Sequence, residues 1–205
     1  MNRAALVRHA LWPVVFAAAL GPALWLARAA FGGGTLGADP VKTLQVTTGL
    51  AAIVLLLATL AITPLRRLTG WSELIRLRRM LGLWSFAYVL LHAVIYFVFD
   101  QSLDPALIWS DTVEHPRIAV GFAAFLLLIP LALTSTTAMI RRLGRRWGLL
   151  HRLVYPATVL GLLHYLMVQK LDWRVGTWYV VAFTVLMLLR LVRPRAGVRP
   201  PVAAG

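Results

Sequence analysis

Six long apolar stretches constrain this chain more than any other feature of its sequence. A membrane helix needs about 20 predominantly apolar residues, and 60% of the 205 residues are hydrophobic. We therefore predict an all-α membrane protein, built as a six-helix transmembrane bundle. Its spans are predicted near residues 10–31, 44–62, 80–99, 118–140, 149–168 and 175–192.

The distribution of charge predicts how these spans are oriented. With the N-terminus in the cytoplasm, the outer segments hold only five of the 21 Lys and Arg residues, namely Arg28, Lys42, Arg117, Lys170 and Arg174. All seven acids except Glu73 also fall outside. An excess of basic residues in cytoplasmic loops is the positive-inside pattern. Both termini are therefore predicted to be cytoplasmic, and the net charge of +14 indicates topology, with no nucleic-acid partner.

Short loops predict a single membrane domain over residues 1–192. The Pro-, Arg- and Gly-rich residues 193–205 are predicted to form a disordered, basic cytoplasmic tail. The chain has no cysteine, which excludes disulfides, iron–sulfur clusters and covalently attached c-type haem. The outer loop 100–117 is acidic and contains Trp109, and it is either a docking surface for a periplasmic partner or a solvated connector.

Three histidines lie at membrane depth, where an ionisable side chain indicates a functional site. His92 lies in the third span and His164 in the fifth, and the two spans run in the same direction. Both histidines lie roughly 6–10 Å from the outer boundary, at 1.5 Å per residue. Two imidazoles at one level suit the axial positions of a low-spin b-type haem. The alternative for each histidine alone is an interhelical hydrogen bond.

His151 lies 13 residues before His164, which is roughly 20 Å along a helix. It is therefore a candidate ligand of a second haem, near the inner boundary. At that depth the third span offers no histidine, but it carries Arg78, on the same face as His92, and Arg79, on another face. Both arginines are candidate partners for haem propionates, so the sequence leaves one or two haems open.

Two runs resemble the MsrQ (YedZ) family, which is the haem-binding membrane subunit of a periplasmic protein-methionine-sulfoxide reductase system. They are RRMLGLWSFAYVLLHAVIYFVFD (78–100) and RRWGLLHRLVYPATVLGLLHYLMVQK (145–170). The family belongs to the ferric reductase-like transmembrane superfamily, together with the NADPH oxidases. Those oxidases carry two histidine pairs on the third and fifth spans, and this chain lacks the second histidine of the third span. The resemblance also implies bound FMN, for which the sequence shows no motif.

The resemblance implies an electron-transfer subunit that spans the bacterial inner membrane several times. Electrons from quinol or a cytosolic flavin reductase are expected to reach the periplasmic molybdoprotein MsrP, which repairs methionine sulfoxide in oxidised proteins. This chain is then a redox subunit of an oxidoreductase system, without the catalytic site itself. The alternative is a transporter or proton-translocating protein that uses the histidines as a relay. That class is expected to place Asp or Glu inside the bundle, and no acid falls within the six spans.

Overall fold

The computed structural model describes residues 2–169 and 173–191, and every regular element in these ranges is helical. This confirms the predicted all-α class, while the predicted tail 193–205 lies outside the described residues. The helices are α1 (Arg3–Phe31), α2 (Pro40–Thr69), α3 (Ser72–Asp100), α4 (Pro105–Glu114), α5 (Pro116–Leu133), α6 (Thr137–Leu143), α7 (Arg145–Leu150), α8 (Val154–Val168) and α9 (Trp173–Leu191).

Four of these helices, α1, α2, α3 and α5, are long and apolar enough to cross a membrane. They coincide with the first four predicted spans, which supports the membrane class. Helix α8 lies within the fifth predicted span, and α9 overlaps the sixth, beginning two residues before it. The count of six spans and the cytoplasmic position of both termini stay predictions.

Capping residues define both ends of α2, and a tight hairpin joins it to α3. The side chain of Asp39 accepts a hydrogen bond from the Lys42 amide, and Pro40 follows at the first helical position, so α2 begins here. The helix ends at Gly70, whose φ of 68° is left-handed and suits a residue without a Cβ. Because the turn is short, α2 and α3 lie side by side and pack extensively.

The predicted fourth span, 118–140, is interrupted, so its predicted extent was wrong. Helix α5 ends at Leu133, where the Thr134 and Ser135 hydroxyls donate hydrogen bonds to carbonyls of the preceding turn. The side chain of Thr136 then accepts from a backbone amide and begins α6 as a separate short helix. Local hydroxyl bonding thus ends a helix that the apolar pattern alone would continue.

Four helices surround the centre of the bundle. Helix α3 packs against α2 and α5, and α8 packs against the same two helices, so α3 and α8 stand at opposite corners. Leu60 of α2 and Ala157 of α8 are fully buried in this core. Helix α1 packs on α2 and α3, and α9 packs on α2 and α8. The arrangement lets a residue of α3 face a residue of α8 across the centre.

Candidate cofactor site

A cavity of ≈ 460 Å³ lies among α2, α3, α5 and α8. Its volume falls within the range of small-molecule sites, about 300–1,000 Å³. Apolar side chains, including Leu56, Phe125 and Leu128, form much of its wall, and both His92 and His164 line it. The structure therefore brings together the two histidines that the sequence placed at one depth.

The two imidazole rings face each other at a distance that fits a shared metal ion. Their centres are 6.2 Å apart, and their planes make an angle of 81°. Because a metal–imidazole bond is about 2 Å long, two imidazoles on opposite sides of one ion have centres roughly 6 Å apart. In the described part of the chain no group of three or more His, Cys, Asp or Glu residues is placed to hold a metal. Among the described residues of these types, the pair alone therefore offers two ligands to a metal ion.

Backbone carbonyls fix which nitrogen of each ring carries the proton. The Nδ1 atom of His92 lies 3.0 Å from the carbonyl oxygen of Gln45, on α2. The Nδ1 atom of His164 lies 2.7 Å from the carbonyl oxygen of Arg117, on α5. A carbonyl only accepts hydrogen bonds, so each Nδ1 carries the proton. In the neutral ring, Nε2 then keeps a lone pair that is free to bind a metal.

Polar side chains collect at one end of the cavity, which the predicted topology places on the outer side. There the carboxylate of Asp111 accepts hydrogen bonds from the Tyr96 hydroxyl at 2.6 Å and from Gln101 Nε2 at 3.0 Å. The Nδ1 atom of His115 lies 2.8 Å from the other carboxylate oxygen. These contacts tie α4 to the end of α3, so the predicted loop 100–117 contains a helix anchored at the cavity. Sequence spacing gave no signal for this cluster.

Helix α4 forms because Asp104 caps it and Pro105 follows at its first position. The Asp104 side chain accepts a hydrogen bond from the amide of Ala106 at 2.8 Å. One face of the helix points toward the bundle, and Trp109, on the other face, is 71% exposed. The end of the molecule that the predicted topology places outside therefore carries an exposed aromatic residue close to the cavity.

His151 lies apart from the cavity, on a single 3-10 turn between α7 and α8. Its ring stacks on Trp147, with centres 3.9 Å apart, and its Nδ1 lies 3.1 Å from the Trp147 carbonyl oxygen. Its Nε2 is buried, and it has no hydrogen-bond partner among the described residues. The ring thus has the same tautomer as the other two histidines, and protein atoms cover its Nε2.

The structure separates the two arginines that the sequence singled out. Arg78 lies close enough to His151 for its charge to act on that ring. Arg79 instead donates a hydrogen bond to the Thr137 hydroxyl at 3.3 Å. The two arginines therefore have different surroundings, while the predicted match of Arg78 with the face of His92 stays a prediction.

A third arginine, which sequence reasoning treated only as a topology signal, also belongs to this region. Arg190 of α9 donates hydrogen bonds to the Tyr155 hydroxyl and to the Leu60 carbonyl, each at 2.6 Å. Its guanidinium also lies over the Tyr155 ring, 5.4 Å from the ring centre. Arg190 thus links three helices beside the core, which its position at the end of an apolar stretch did not reveal.

A family model and several individual proteins match this chain, and they agree with each other. Residues 48–162 match the family model described as ferric reductase like transmembrane component. The chain is 47% identical over 191 residues to a Rhodospirillum rubrum protein, with 91% of both chains covered. That protein is named protein-methionine-sulfoxide reductase heme-binding subunit MsrQ.

Two further relatives carry the same name. The protein of Ralstonia nicotianae is 51% identical, over 82% of this chain and 79% of its own length. The protein of Brucella anthropi is 45% identical, over 96% of this chain and 90% of its own length. No solved structure matches the chain.

Proposed function

This chain belongs to the ferric reductase-like transmembrane component family and, within it, to the MsrQ proteins, and from that premise we propose that it is a haem b electron-transfer subunit. In this proposal it serves a protein-methionine-sulfoxide reductase system and carries no catalytic site of its own. The observation that carries the proposal is the pair His92 and His164, which face each other across one cavity at 6.2 Å.

The residues around the cavity fit a haem. His92 and His164 would hold the iron, and the apolar walls would surround the ring system. Arg117 lines the polar end of the cavity, and its guanidinium is a suitable partner for a propionate. A bound haem supplies one-electron chemistry at its iron. The chain would contribute two ligands and largely apolar surroundings, which together tune the potential at which the iron gains or loses an electron.

His151 is the proposed protein ligand of a second haem, on the predicted cytoplasmic side. Its support is a buried Nε2 without a partner and an Nδ1 already oriented by a carbonyl. Arginine is a poor ligand of iron because its guanidinium stays protonated. Arg78, whose charge acts on His151, is therefore proposed to pair with a propionate. Arg79 is a second, weaker candidate for that role, since Thr137 already engages it.

The proposed direction of electron transfer follows the predicted topology of a protein that spans the inner membrane several times. The donor, quinol or a cytosolic flavin reductase, delivers electrons near His151, either within the membrane or from the cytoplasmic side. The acceptor, the periplasmic molybdoprotein MsrP, docks at the outer end, where α4 exposes Trp109. FMN, which the family resemblance also implies, has no residues assigned to it.

An absorption spectrum of the detergent-purified protein, expressed with ample haem, tests the proposal. We expect a Soret band that shifts on reduction with dithionite and α-band absorption of a low-spin bis-imidazole haem. His92→Ala and His164→Ala should each abolish or severely reduce that signal, because each removes one axial bond. His9→Ala, which removes a histidine of α1, is the matched control and should leave the spectrum unchanged.

A folded, colourless protein would contradict the electron-transfer proposal. It would favour the alternative, in which the histidines relay protons in a transporter. Proton uptake by reconstituted vesicles, lost in His92→Ala, would then be the expected result.

A further inference from the structure

We propose that Gly49 and Gly121 are positioning residues, each forming one half of a notch that seats a haem-ligating histidine against a backbone carbonyl. The first notch consists of Gln45 and Gly49 on α2 and receives His92. The second consists of Arg117 and Gly121 on α5 and receives His164. This inference rests on the proposed haem site and assigns two residues of it that carry no functional side chain.

The two notches have the same construction on two different helices. In each, the carbonyl that the imidazole contacts belongs to the residue four positions before the glycine. Residues four apart lie on one face of a helix, about one turn from each other. A helical carbonyl already bonded within its helix keeps a second lone pair. The imidazole N–H reaches that lone pair by lying across the face where the glycine has no side chain.

The imidazole leaves no room for a Cβ atom at Gly121 and little room for one at Gly49. A Cβ at Gly121 would lie 2.7 Å from Nδ1 and 2.8 Å from Cε1 of His164. A Cβ at Gly49 would lie 3.3 Å from the same two atoms of His92. The first distance requires the ring to move, and the second requires a shift of a few tenths of an ångström. The notch at Gly121 is therefore the more restrictive of the two.

A ring displaced from its notch binds iron differently, because its orientation and basicity change. The hydrogen bond from Nδ1 to the carbonyl sets the tautomer and the orientation of the ring, and it raises the basicity of Nε2. A methyl group in the notch lengthens that bond and tilts Nε2 away from the cavity centre. The backbone at the glycine thus acts on the iron through the histidine that it seats.

His151 supports this interpretation by contrast. Its carbonyl partner, Trp147, lies four residues earlier in its own helical segment, so no second helix has to approach its ring. The neighbouring Gly148 has nothing within 4 Å of the position where a Cβ would lie. Glycine notches therefore occur at the two histidines that are seated on other helices.

Alanine at each glycine, measured in the full-length haem-loaded protein, tests the proposal. Gly82→Ala is the matched control, because its Cβ would meet Thr59 at an ordinary distance of 3.7 Å within a membrane span. We expect haem affinity to fall roughly 10- to 100-fold in Gly121→Ala, as for other partners that orient metal ligands. The fall should be smaller in Gly49→Ala and absent in Gly82→Ala. The electron paramagnetic resonance g-values of the haem retained in Gly121→Ala and Gly49→Ala should shift, since they report ring orientation.

The outcomes separate this inference from the haem proposal itself. Wild-type haem content and g-values in Gly121→Ala would overturn the notch, while a wild-type protein without low-spin haem would overturn the haem site. Equal losses in all three variants would mean that general helix packing, and not ring seating, is disturbed. If Gly121→Ala fails to fold by circular dichroism, Gly49→Ala decides, because its neighbour needs to yield only slightly.

Discussion

The pair His92 and His164 and the lone His151 are two solutions to the same problem of orienting an imidazole in a membrane protein. All three rings direct Nδ1 to a carbonyl oxygen. For the pair, each carbonyl comes from a different helix, and four helices must pack correctly for the cavity to exist. For His151, the carbonyl and the stacked Trp147 ring both come from one local segment.

The pair His92 and His164 depends on the packing of four helices much more than His151 does. The pair needs the correct approach of α2 to α3 and of α5 to α8, so distant changes in these helices reach it. His151 needs one turn of chain and a nearby arginine from α3. We therefore expect the two regions to respond independently to substitution, as sites without shared partners generally do.

The largest expected effect comes from replacing a histidine in each of the two regions and comparing the variants. His164→Ala should remove the bis-imidazole spectrum. His151→Ala should leave that spectrum intact but lower either the haem content or the rate at which electrons enter from the cytoplasmic side. The reason is that only His164 faces His92 across the cavity. Haem quantification with reduction kinetics measures both effects. Unchanged stoichiometry and rate in His151→Ala would leave a single-haem protein.

The next effect distinguishes the two neighbouring arginines. Arg78→Ala should lower haem content or reduction rate more than Arg79→Ala, because the charge of Arg78 acts on His151 while Arg79 is bonded to Thr137. The same two assays measure the difference, with the spectrum of the His92 and His164 pair as an internal reference. Equal behaviour of both variants would make these arginines topology signals only.

A smaller effect should follow from Trp147→Phe, which keeps an aromatic ring on His151 and removes one hydrogen bond. The Trp147 indole N–H donates to the Thr134 carbonyl at 3.0 Å, and losing it should cost about 1 kcal/mol of stability. Thermal unfolding in detergent should show the loss, and the bis-imidazole spectrum should stay unchanged. Altered g-values of that haem would show that the two regions are coupled.

The smallest effect on the two histidine regions is expected from Tyr88→Phe, a change at the contact of α3 with α1. Its effect on stability should nevertheless be at least as large as that of Trp147→Phe. The buried Tyr88 hydroxyl donates to the Ala19 carbonyl at 2.7 Å and accepts from the Ala23 amide at 3.0 Å. These groups flank Pro22, which breaks the hydrogen-bond ladder of α1. Removing the hydroxyl should destabilise the protein by about 1–3 kcal/mol, as measured by thermal unfolding. Haem content per folded molecule should not change.

Much of the fold was predictable because a long apolar segment in a membrane satisfies its backbone hydrogen bonds by forming a helix. Apolar pattern located α1, α2, α3 and α5, and the depth calculation placed His92 and His164 at one level. The same helical arithmetic separated Arg78 from Arg79. Whether these residues bind haem stays a prediction that the spectra test.

Other features were not predictable from apolar pattern or spacing. The break after Leu133 depends on hydroxyls that compete with the helix for backbone carbonyls. The cluster around Asp111 joins Tyr96 and His115, which are separated along the chain but adjacent in the fold. Arg190 reaches Tyr155 and Leu60 from a different helix. The break is a local effect that apolar pattern does not report, whereas the Asp111 cluster and the Arg190 contacts depend on segments whose mutual distance no local pattern encodes.

The sequence by itself determined the helical class, the predicted side of each loop and the three histidines at membrane depth. Hydrophobic length, charge and helical rise are properties of a segment alone, so they can be read without a partner. Tertiary structure decided that two of the rings meet at 6.2 Å and that the third stays apart. It also decided that Gly49 and Gly121 lie against imidazoles. A glycine gains that role only when another helix approaches it, and the approach is set by the packing of the whole bundle.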